Sequence, residues 1–328
     1  MPDPLGVPAP HQTIPVRAKA VPLDPTDPGR HRVGELTVRA VLELDCDDPR
    51  FGGFSGLALE ADRWLAVSDR GTWWAGRLRF DRRGVLAGVD NVTAGALPDI
   101  DGRPLTGRYR HDAEEVVSWD AETLLIAFEG NHRLHRFARE QVDGWRPATG
   151  QQSIEVPVPE AVRRLPENNG LEAVTRLIDG RLFMAAEAPD ADGRRRAWVG
   201  DLELTALTEL VYTGPDGFQP TGAATLPDGD VVVMERFYEE ATGPRVRLVR
   251  LPLGGLPDAV EDAPRLVEPV EIARFTKPLQ VDNFEAVAVI LEPVPRTPPA
   301  ADPPRLFLLS DDNFSDTQRT LLVHAELP

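Results

Sequence analysis

Five segments of the chain repeat the same order of apolar and polar positions. Each contains two apolar runs of four to six residues, joined by a turn, and the second run ends at an acidic residue or at Ser-Asp. Turn pairs such as Asp179-Gly180 and Asp228-Gly229 separate the two runs. Runs of this length, bounded by turn residues, predict β-strands rather than helices. The five strand pairs begin at Phe54, Ala113, Leu171, Pro220 and Phe284.

A more polar, alternating strand follows the apolar pair, as in Arg77–Phe80 and Arg245–Arg250. Two buried strands, a half-exposed third and a weaker fourth make one propeller blade. The repeats therefore predict an all-β fold, a single β-propeller of five blades. A sixth, degenerate blade in Asn91–Arg110 or Asp258–Lys277 stays open at this point. Strand Leu36–Leu44 has no repeat of its own, so we expect it to complete the last blade and close the ring, removing a sheet edge.

Two regions are expected on this basis, a proline-rich N-terminal arm at 1–32 and the propeller domain at 33–328. Proline resists helix and sheet interiors, so loose order is expected in the arm. The arm lacks the apolar core of a signal peptide, and no stretch is long and apolar enough to span a membrane. The protein is expected to be cytoplasmic, or periplasmic or secreted if a signal peptide precedes this sequence, and we predict a monomer without a membrane partner.

The formal net charge of −17 narrows the classes of ligand. Nucleic acids are bound by basic patches, so a nucleic-acid partner is not expected. An acidic protein suits cations, or substrates recruited through a bound cation. Cys46 is the only cysteine, which excludes a disulfide framework and a thiolate metal cluster.

Acidic residues recur at matched ends of the predicted inner strands, which converge on the central mouth of a propeller. Converging carboxylates repel one another unless a cation lies among them, and calcium takes six to eight oxygen ligands. A calcium site is therefore predicted. The alternative is that each acid hydrogen-bonds a neighbouring blade or caps a strand. The candidate metal ligands are Glu114, Glu129, Glu172, Glu187, Glu235, Glu285 and Asp311. Ser55 and Thr221 complete the first matched position, and strand alternation ranks Glu115 lower because it faces away from Glu114.

Several motifs in order resemble the phytase-like "esterase-like activity of phytase" family over roughly Phe54–Leu327. They include Asp112-Ala113-Glu114-Glu115, Asn169-Gly170-Leu171-Glu172, Asn283-Phe284-Glu285-Ala286 and Ser310-Asp311-Asp312. The chain is also distantly similar to the calcium-dependent β-propeller phytases. The resemblance implies a propeller and suggests hydrolysis of a phosphoester or another ester. The family favours Glu-Gly at the strand start, whereas this chain has Glu-Glu or Glu-Ala.

Candidate catalytic residues are Glu114, Asp69, Arg70, Arg236 and His111, with a small anionic ester as the substrate. Calcium would neutralise substrate charge and bind a water, the arginines and Lys277 would orient the anion, and His111 would act as base or acid. No serine-hydrolase elbow is present, so Ser55 is a weak nucleophile candidate. Two alternatives stay open: a non-catalytic propeller that binds a ligand or protein around structural calcium, and a lactonase-like propeller.

Overall fold

The computed structural model describes residues 12–105, 111–140, 145–148, 151–156, 158–167, 169–256, 263–290 and 303–328. Three strands precede the repeats: β1 (Val16–Ala20), β2 (Arg32–Val33) and β3 (Leu36–Cys46). The first two repeats contain β4 (Phe54–Glu60), β5 (Arg63–Ser68), β6 (Thr72–Phe80), β7 (Leu86–Ala96), β8 (Ala113–Ser118), β9 (Thr123–Phe128), β10 (Arg133–Ala138) and β11 (Ile154–Val156), followed by helix α1 (Glu160–Arg163). The rest contain β12 (Leu171–Arg176), β13 (Leu182–Pro189), β14 (Arg195–Gly200), β15 (Leu207–Tyr212), β16 (Gln219–Thr225), β17 (Val231–Glu239), β18 (Gly243–Leu251), β19 (Arg265–Val267), β20 (Val270–Phe275), β21 (Asn283–Ile290), β22 (Arg305–Asp311) and β23 (Thr320–Glu326).

These strands form five antiparallel sheets, the blades of one propeller. Blade one is β4-β5-β6-β7, and blade two is β8-β9-β10-β11. Blade three is β12-β13-β14-β15, with β19 added in parallel, and blade four is β16-β17-β18-β20. Blade five is β21-β22-β23-β3-β1. The predicted all-β, five-blade propeller is confirmed, and the first strand of each blade contacts its counterparts around the central channel.

The ring is closed by the N-terminal segment, as the unrepeated strand predicted. Strand β3 pairs with β23 from Leu44 opposite Thr320 to Thr37 opposite Glu326. Blade five is thus assembled from both ends of the propeller sequence. This pairing covers the edge that β23 would otherwise expose.

The described parts of the two segments that were ambiguous in the sequence supply outer strands instead of a sixth blade, and residues 106–110 and 258–262 lie outside the described part of the chain. Residues 91–96 belong to β7, while β19 and β20 join blades three and four. Within the expected loose arm, β1 pairs with β3 from Val16 opposite Cys46 to Ala20 opposite Leu42. Backbone pairing with an available sheet edge therefore orders residues 16–20, which composition alone did not indicate.

Hydrophobic packing occurs between neighbouring blades. Trp74 and Phe307 belong to the cluster between blades one and five, while Leu65 and Ile126 belong to the cluster between blades one and two. Similar clusters fill the other three junctions. The near-continuous apolar runs of the second strands are explained by burial on both faces. No helix among the described residues is long and apolar enough to cross a membrane.

Candidate functional site

The same β-bulge recurs at the mouth end of the first strand in all five blades. In blade two, Ala113 pairs with Phe128 and Glu115 pairs with Ala127, so that Glu114 is left without a partner in the register. A bulge of this kind turns a side chain away from the regular alternation of its strand. We call these five unpaired residues the bulge positions: Ser55, Glu114, Glu172, Thr221 and Glu285.

The strand register also defines a second set of five equivalent residues, which we call the rim positions. Each directly follows the residue that pairs with the start of the bulge. The rim positions are Asp69, Glu129, Glu187, Arg236 and Asp311. In blade four, Glu235 pairs with Pro220, which puts Glu235 one residue out of phase with the other acids.

Glu235 lies in an ion-pair network between blades rather than among the mouth carboxylates. Its side chain is fully buried and contacts the guanidinium groups of Arg247 and, at 3.7 Å, Arg195. A carboxylate already neutralised by buried arginines has little capacity for a metal ion. We therefore leave Glu235 out of the proposed ligand set, and Arg236 occupies the rim of blade four.

Two groups of acids in blades two and three could hold a metal ion. The first contains Asp112, Glu114 and Glu129, and the second contains Glu129, Glu172 and Glu187. Within each group one oxygen of every carboxylate lies within 4.8 Å of the others. Because Glu129 belongs to both, the groups are adjacent and can share a ligand.

Backbone and amide donors orient these acids. The Gly170 amide donates to Glu129 Oε1 at 2.9 Å, and Asn169 Nδ2 donates to Glu187 Oε2 at 2.8 Å. An alanine at 170 is excluded because its Cβ would lie 2.4 Å from His132 Nδ1. The glycine thus permits the close approach that brings blade three to the Glu129 carboxylate.

Blade five contributes a pair of acids, Glu285 and Asp311, next to the arginine of blade four. Asn283 Nδ2 donates to Glu285 Oε1 at 2.8 Å, and the Asn313 amide donates to Asp311 Oδ1 at 2.7 Å. Arg236 Nη1 lies 3.2 Å from Glu285 Oε1 and also contacts Asn283. This side of the mouth therefore combines two carboxylates with a guanidinium.

The mouth acids hold protons more tightly than ordinary carboxyls. Burial, with nearby carboxylates adding to it, raises the pKa of Glu129 to about 7 and that of Asp311 to about 7. Burial raises the pKa of Glu285 to about 8, although Arg236 opposes this. Burial and neighbouring acids also raise the pKa of Glu114 and of Glu172 well above the usual range. Such groups favour either a proton or a cation between them.

Asp69, Arg70 and His111 lie together at the rim of blade one. His111 Nδ1 is 2.8 Å from the Asp69 carbonyl oxygen, which can only accept, so Nδ1 carries a proton and, in the neutral form of the ring, Nε2 is the acceptor. The guanidinium carbon of Arg70 is 3.2 Å from the ring centre of Phe314. This stacking keeps the positively charged guanidinium group of Arg70 at the rim.

Three further residues considered from the sequence hydrogen-bond to backbone groups of the inner strands. The Ser55 hydroxyl donates to the Ala113 carbonyl of blade two, and Thr221 Oγ1 donates to the Phe284 carbonyl of blade five at 3.3 Å. These two bulge positions tie neighbouring blades together, which does not favour Ser55 as a nucleophile. Glu115 lines the central channel, where its Oε1 accepts from the Val116 amide at 3.0 Å.

Sequence reasoning missed two residues of the site. Asp112 was quoted within a motif but not counted as a ligand, although it belongs to the first acidic group. Asn283 connects Arg236, Glu285 and Asp311. Both lie two residues before a bulge position, so the recurring spacing itself was the signal. Lys277 is exposed and packs beside Gly243.

Comparisons with known proteins agree with these motifs. The family described as "Phytase-like: Esterase-like activity of phytase" matches residues 49–314. A crystal structure of a protein of unknown function from Dyadobacter fermentans is 13% identical, with a TM-score of 0.41 over 95% of this chain and 91% of that chain. One from Bacteroides thetaiotaomicron is 10% identical, with a TM-score of 0.41 over 95% and 76%. No curated protein matches the sequence. Because the match covers most of the chain, this protein belongs to the phytase-like family described as "esterase-like activity of phytase".

Proposed function

We propose that this propeller is a calcium-dependent hydrolase of phosphate or other anionic esters, acting at its acidic mouth. The observation that carries the proposal is the pair of acidic groups that share Glu129, flanked by the cations Arg236 and Arg70. A site of carboxylates alone would favour binding of a metal ion only. Carboxylates together with arginines favour an anionic substrate that is bound next to the metal ion. Membership of the phytase-like family supports the same class of reaction.

The residues present fit calcium. The ligand atoms around Glu129 are carboxylate oxygens, and calcium binds such hard oxygen ligands in flexible geometry. The amide side chain of Asn169 lies beside Glu187, and that of Asn283 lies beside Glu285. Two pairs of carboxyls, Asp112 with Glu114 and Glu129 with Glu172, hydrogen-bond to each other. Such contacts require a shared proton or a cation. We propose Asp112, Glu114, Glu129, Glu172 and Glu187 as the ligands, with Glu285 and Asp311 as additional ones.

The metal ion and the charged side chains around the mouth have distinct roles in the proposed reaction. Bound calcium would neutralise the charge of the ester and lower the pKa of a bound water. Arg236 and Arg70 hold the anionic oxygens from the two sides of blade five, and a guanidinium does so through a planar pair of donors. His111, with Nε2 as its acceptor, and Asp69 are the residues that take up a proton at the rim of blade one.

Parallel assays test the proposal. Phytate, p-nitrophenyl phosphate, p-nitrophenyl acetate and a neutral lactone are incubated with the protein, with calcium and after removal of calcium by a chelator. We expect phosphate release that requires calcium and is lost in Glu129→Gln, which keeps side-chain volume but removes the charge. Glu203→Gln, at an exposed site on blade three, is the matched control and retains activity. Arg236→Lys keeps the charge but loses the fork, so it weakens binding of phosphate substrates.

The other outcomes distinguish the alternatives. Cleavage of the acetate alone, unaffected by chelation, indicates a reaction that does not use this site. Hydrolysis of the lactone alone favours a lactonase-like propeller. Calcium binding without turnover of any substrate contradicts the hydrolase proposal and favours a ligand-binding propeller with structural calcium.

A further inference from the structure

A cavity lies far from the mouth, between blade one and residues 145–146, which follow β10 in blade two. Its volume is about 430 Å³. It is lined by Thr13, Arg63, Ala75, Gly76, Arg77, Asn91, Thr93, Trp145 and Arg146. We call it the arginine cavity. Of the described residues that line it, three are arginines and none is acidic, in a chain with a net charge of −17.

The arginine cavity is separate from the proposed hydrolytic site. Arg63 begins β5, whereas the rim residue Asp69 follows the end of that strand. At roughly 3.3 Å per residue, the six residues of β5 put these two ends about 20 Å apart. An anion bound in the cavity therefore cannot contact the mouth acids.

Carboxylates behind the cavity hold its arginines in place. Arg77 Nη1 donates to both oxygens of Asp62, at 2.9 and 2.8 Å. Arg63 Nη2 lies 3.1 Å from Glu60 Oε1, and the guanidinium group of Arg146 forms an ion pair with the Glu140 carboxylate. Asp62, Glu60 and Glu140 do not line the cavity. Fixed guanidinium groups lose less conformational freedom when they bind a ligand.

Neutral donors in the same wall complement the arginines. Trp145 is 3% exposed, and its Nε1–H has no hydrogen-bond partner among the described residues. The guanidinium carbons of Arg63 and Arg139 lie 5.5 and 5.0 Å from the centre of its ring. The nitrogen is itself buried, so the indole forms part of the wall, and the hydroxyls of Thr13 and Thr93 are the neutral donors that line the cavity.

The backbone of blade one is irregular at this wall. Between β6 and β7 the register breaks after Ala75, so Gly76 lies opposite an extra residue. Asn91, which lines the cavity, adopts a left-handed conformation with φ of 50°. Bulges and strained residues of this type occur next to binding sites, where they turn side chains toward a ligand.

We propose that the arginine cavity binds a small oxyanion, an organic phosphate or carboxylate, independently of the mouth. Guanidinium groups bind both through paired N–H donors, and the hydroxyls of Thr13 and Thr93 can donate to their remaining oxygens. The volume accommodates a ligand larger than inorganic phosphate. Binding is governed by charge, so it weakens as ionic strength rises.

Titration calorimetry on metal-stripped protein tests the proposal with inorganic phosphate, pyrophosphate and citrate as probes. We expect at least one of the three to bind, and binding to weaken by about tenfold or more in Arg77→Gln. Arg77 is the variant of choice because its side chain is 51% exposed, so we expect its replacement to leave the fold intact. Arg250→Gln is the matched control, since Arg250 is paired in the same way with Asp228 and Asp230 on blade four.

The probes separate the ligand classes, and the variants separate the two sites. Preference for phosphate or pyrophosphate indicates a phosphorylated ligand, and preference for citrate indicates a carboxylated one. Glu129→Gln should leave anion binding unchanged, and Arg77→Gln should leave calcium binding unchanged. The proposal is overturned if no probe binds, or if Arg77→Gln binds as tightly as the unmodified protein while both melt at the same temperature.

Discussion

At the scale of single residues, one step of register decides which charge of blade four faces the mouth. Glu235 is turned into the space between blades three and four, where it pairs with Arg247 and Arg195. Arg236 takes the rim position that carries an acid in every other blade. Two adjacent residues of opposite charge therefore have unrelated roles, one in stability and one at the site.

The different positions of Glu235 and Glu129 predict that the same substitution, glutamate to glutamine, lowers stability at one site and calcium binding at the other. Glu235→Gln leaves the buried Arg247 with only the carboxylate of Glu271, 3.5 Å away, so we expect a loss of about 3 kcal/mol of folding free energy, the lower end for a broken buried ion pair. It should not change calcium binding. Glu129→Gln should abolish or strongly weaken calcium binding without lowering the stability of the calcium-free protein. Chemical denaturation and titration calorimetry on both variants measure the two effects, and equal losses of calcium binding would contradict the assignment.

Residue identity alone could not separate these roles. The acid that ends each second strand was aligned by type, which grouped Glu235 with Glu129, Glu187 and Asp311. Pairing partners define the true equivalence, and they depend on bulges that appear only when the neighbouring strand is in place. Asp112 was overlooked for a related reason, because its contact with Glu114 and Glu129 crosses the bulge.

At the scale of strands, the inner strands approach one another so closely that four of the five blades carry a small residue directly after the bulge, whereas blade two carries Glu115. A Cβ on Gly56 of β4 would lie 2.7 Å from Glu115 Cα and 2.7 Å from the Val116 nitrogen of β8. A Cβ on Gly222 of β16 would lie 2.9 Å from the Glu285 carbonyl oxygen of β21. Blades three and five accept alanine at the equivalent positions. The spacing of blades around the channel is therefore unequal.

Substitution of Gly56 by alanine tests this close packing. The new methyl group would meet backbone atoms, which cannot rotate away, so we expect a loss of about 1 to 3 kcal/mol, typical of overpacking. Gly29→Ala is the control, since its nearest neighbour is a side-chain oxygen at 3.4 Å. Urea denaturation of both variants gives the comparison. An unchanged midpoint for Gly56→Ala would show that the inner strands can separate at no cost.

Strands could be predicted where the sequence pattern that specifies them lies within the strand itself and its turn. Short apolar runs and turn pairs identified the inner strands, and the missing strand of the last repeat identified β3 as the closure. Strands β1 and β19 carry no such signal, since their only partners are outer edges formed by distant segments. The arginine cavity was equally invisible, because Arg63, Arg77 and Arg146 come from different elements.

At the scale of the whole molecule, charge is distributed unevenly around the propeller. The mouth concentrates carboxylates from blades one, two, three and five, and the calcium-free protein reduces their repulsion by holding protons and, at Glu285, through the contact with Arg236. In the folded state the pKa of Glu129 is about 7, that of Asp311 about 7 and that of Glu285 about 8. In an unfolded chain such groups titrate near pH 4.

These shifts set the direction of the pH dependence of stability. Between about pH 4 and pH 8 the folded state binds more protons than the unfolded state, so the free energy of unfolding falls as pH rises. The stabilisation is complete below the unfolded pKa and is lost as pH passes through the folded values near 7 and 8. Calcium bound at the mouth, as we propose, would replace those protons, so its affinity should rise over the same range.

Thermal melts from pH 5.5 to 8.5, with a chelator and with excess calcium, test this coupling. We expect the chelated protein to melt at progressively lower temperature as pH rises, and calcium to restore the loss mainly above pH 7. At a hundredfold excess over its dissociation constant, calcium would add about 2.7 kcal/mol. Glu129→Gln removes one titrating group, so it should flatten the chelated curve and reduce the calcium effect. Parallel curves with and without calcium would show that the mouth acids do not exchange protons for a cation, even if the repeated bulge brings them together.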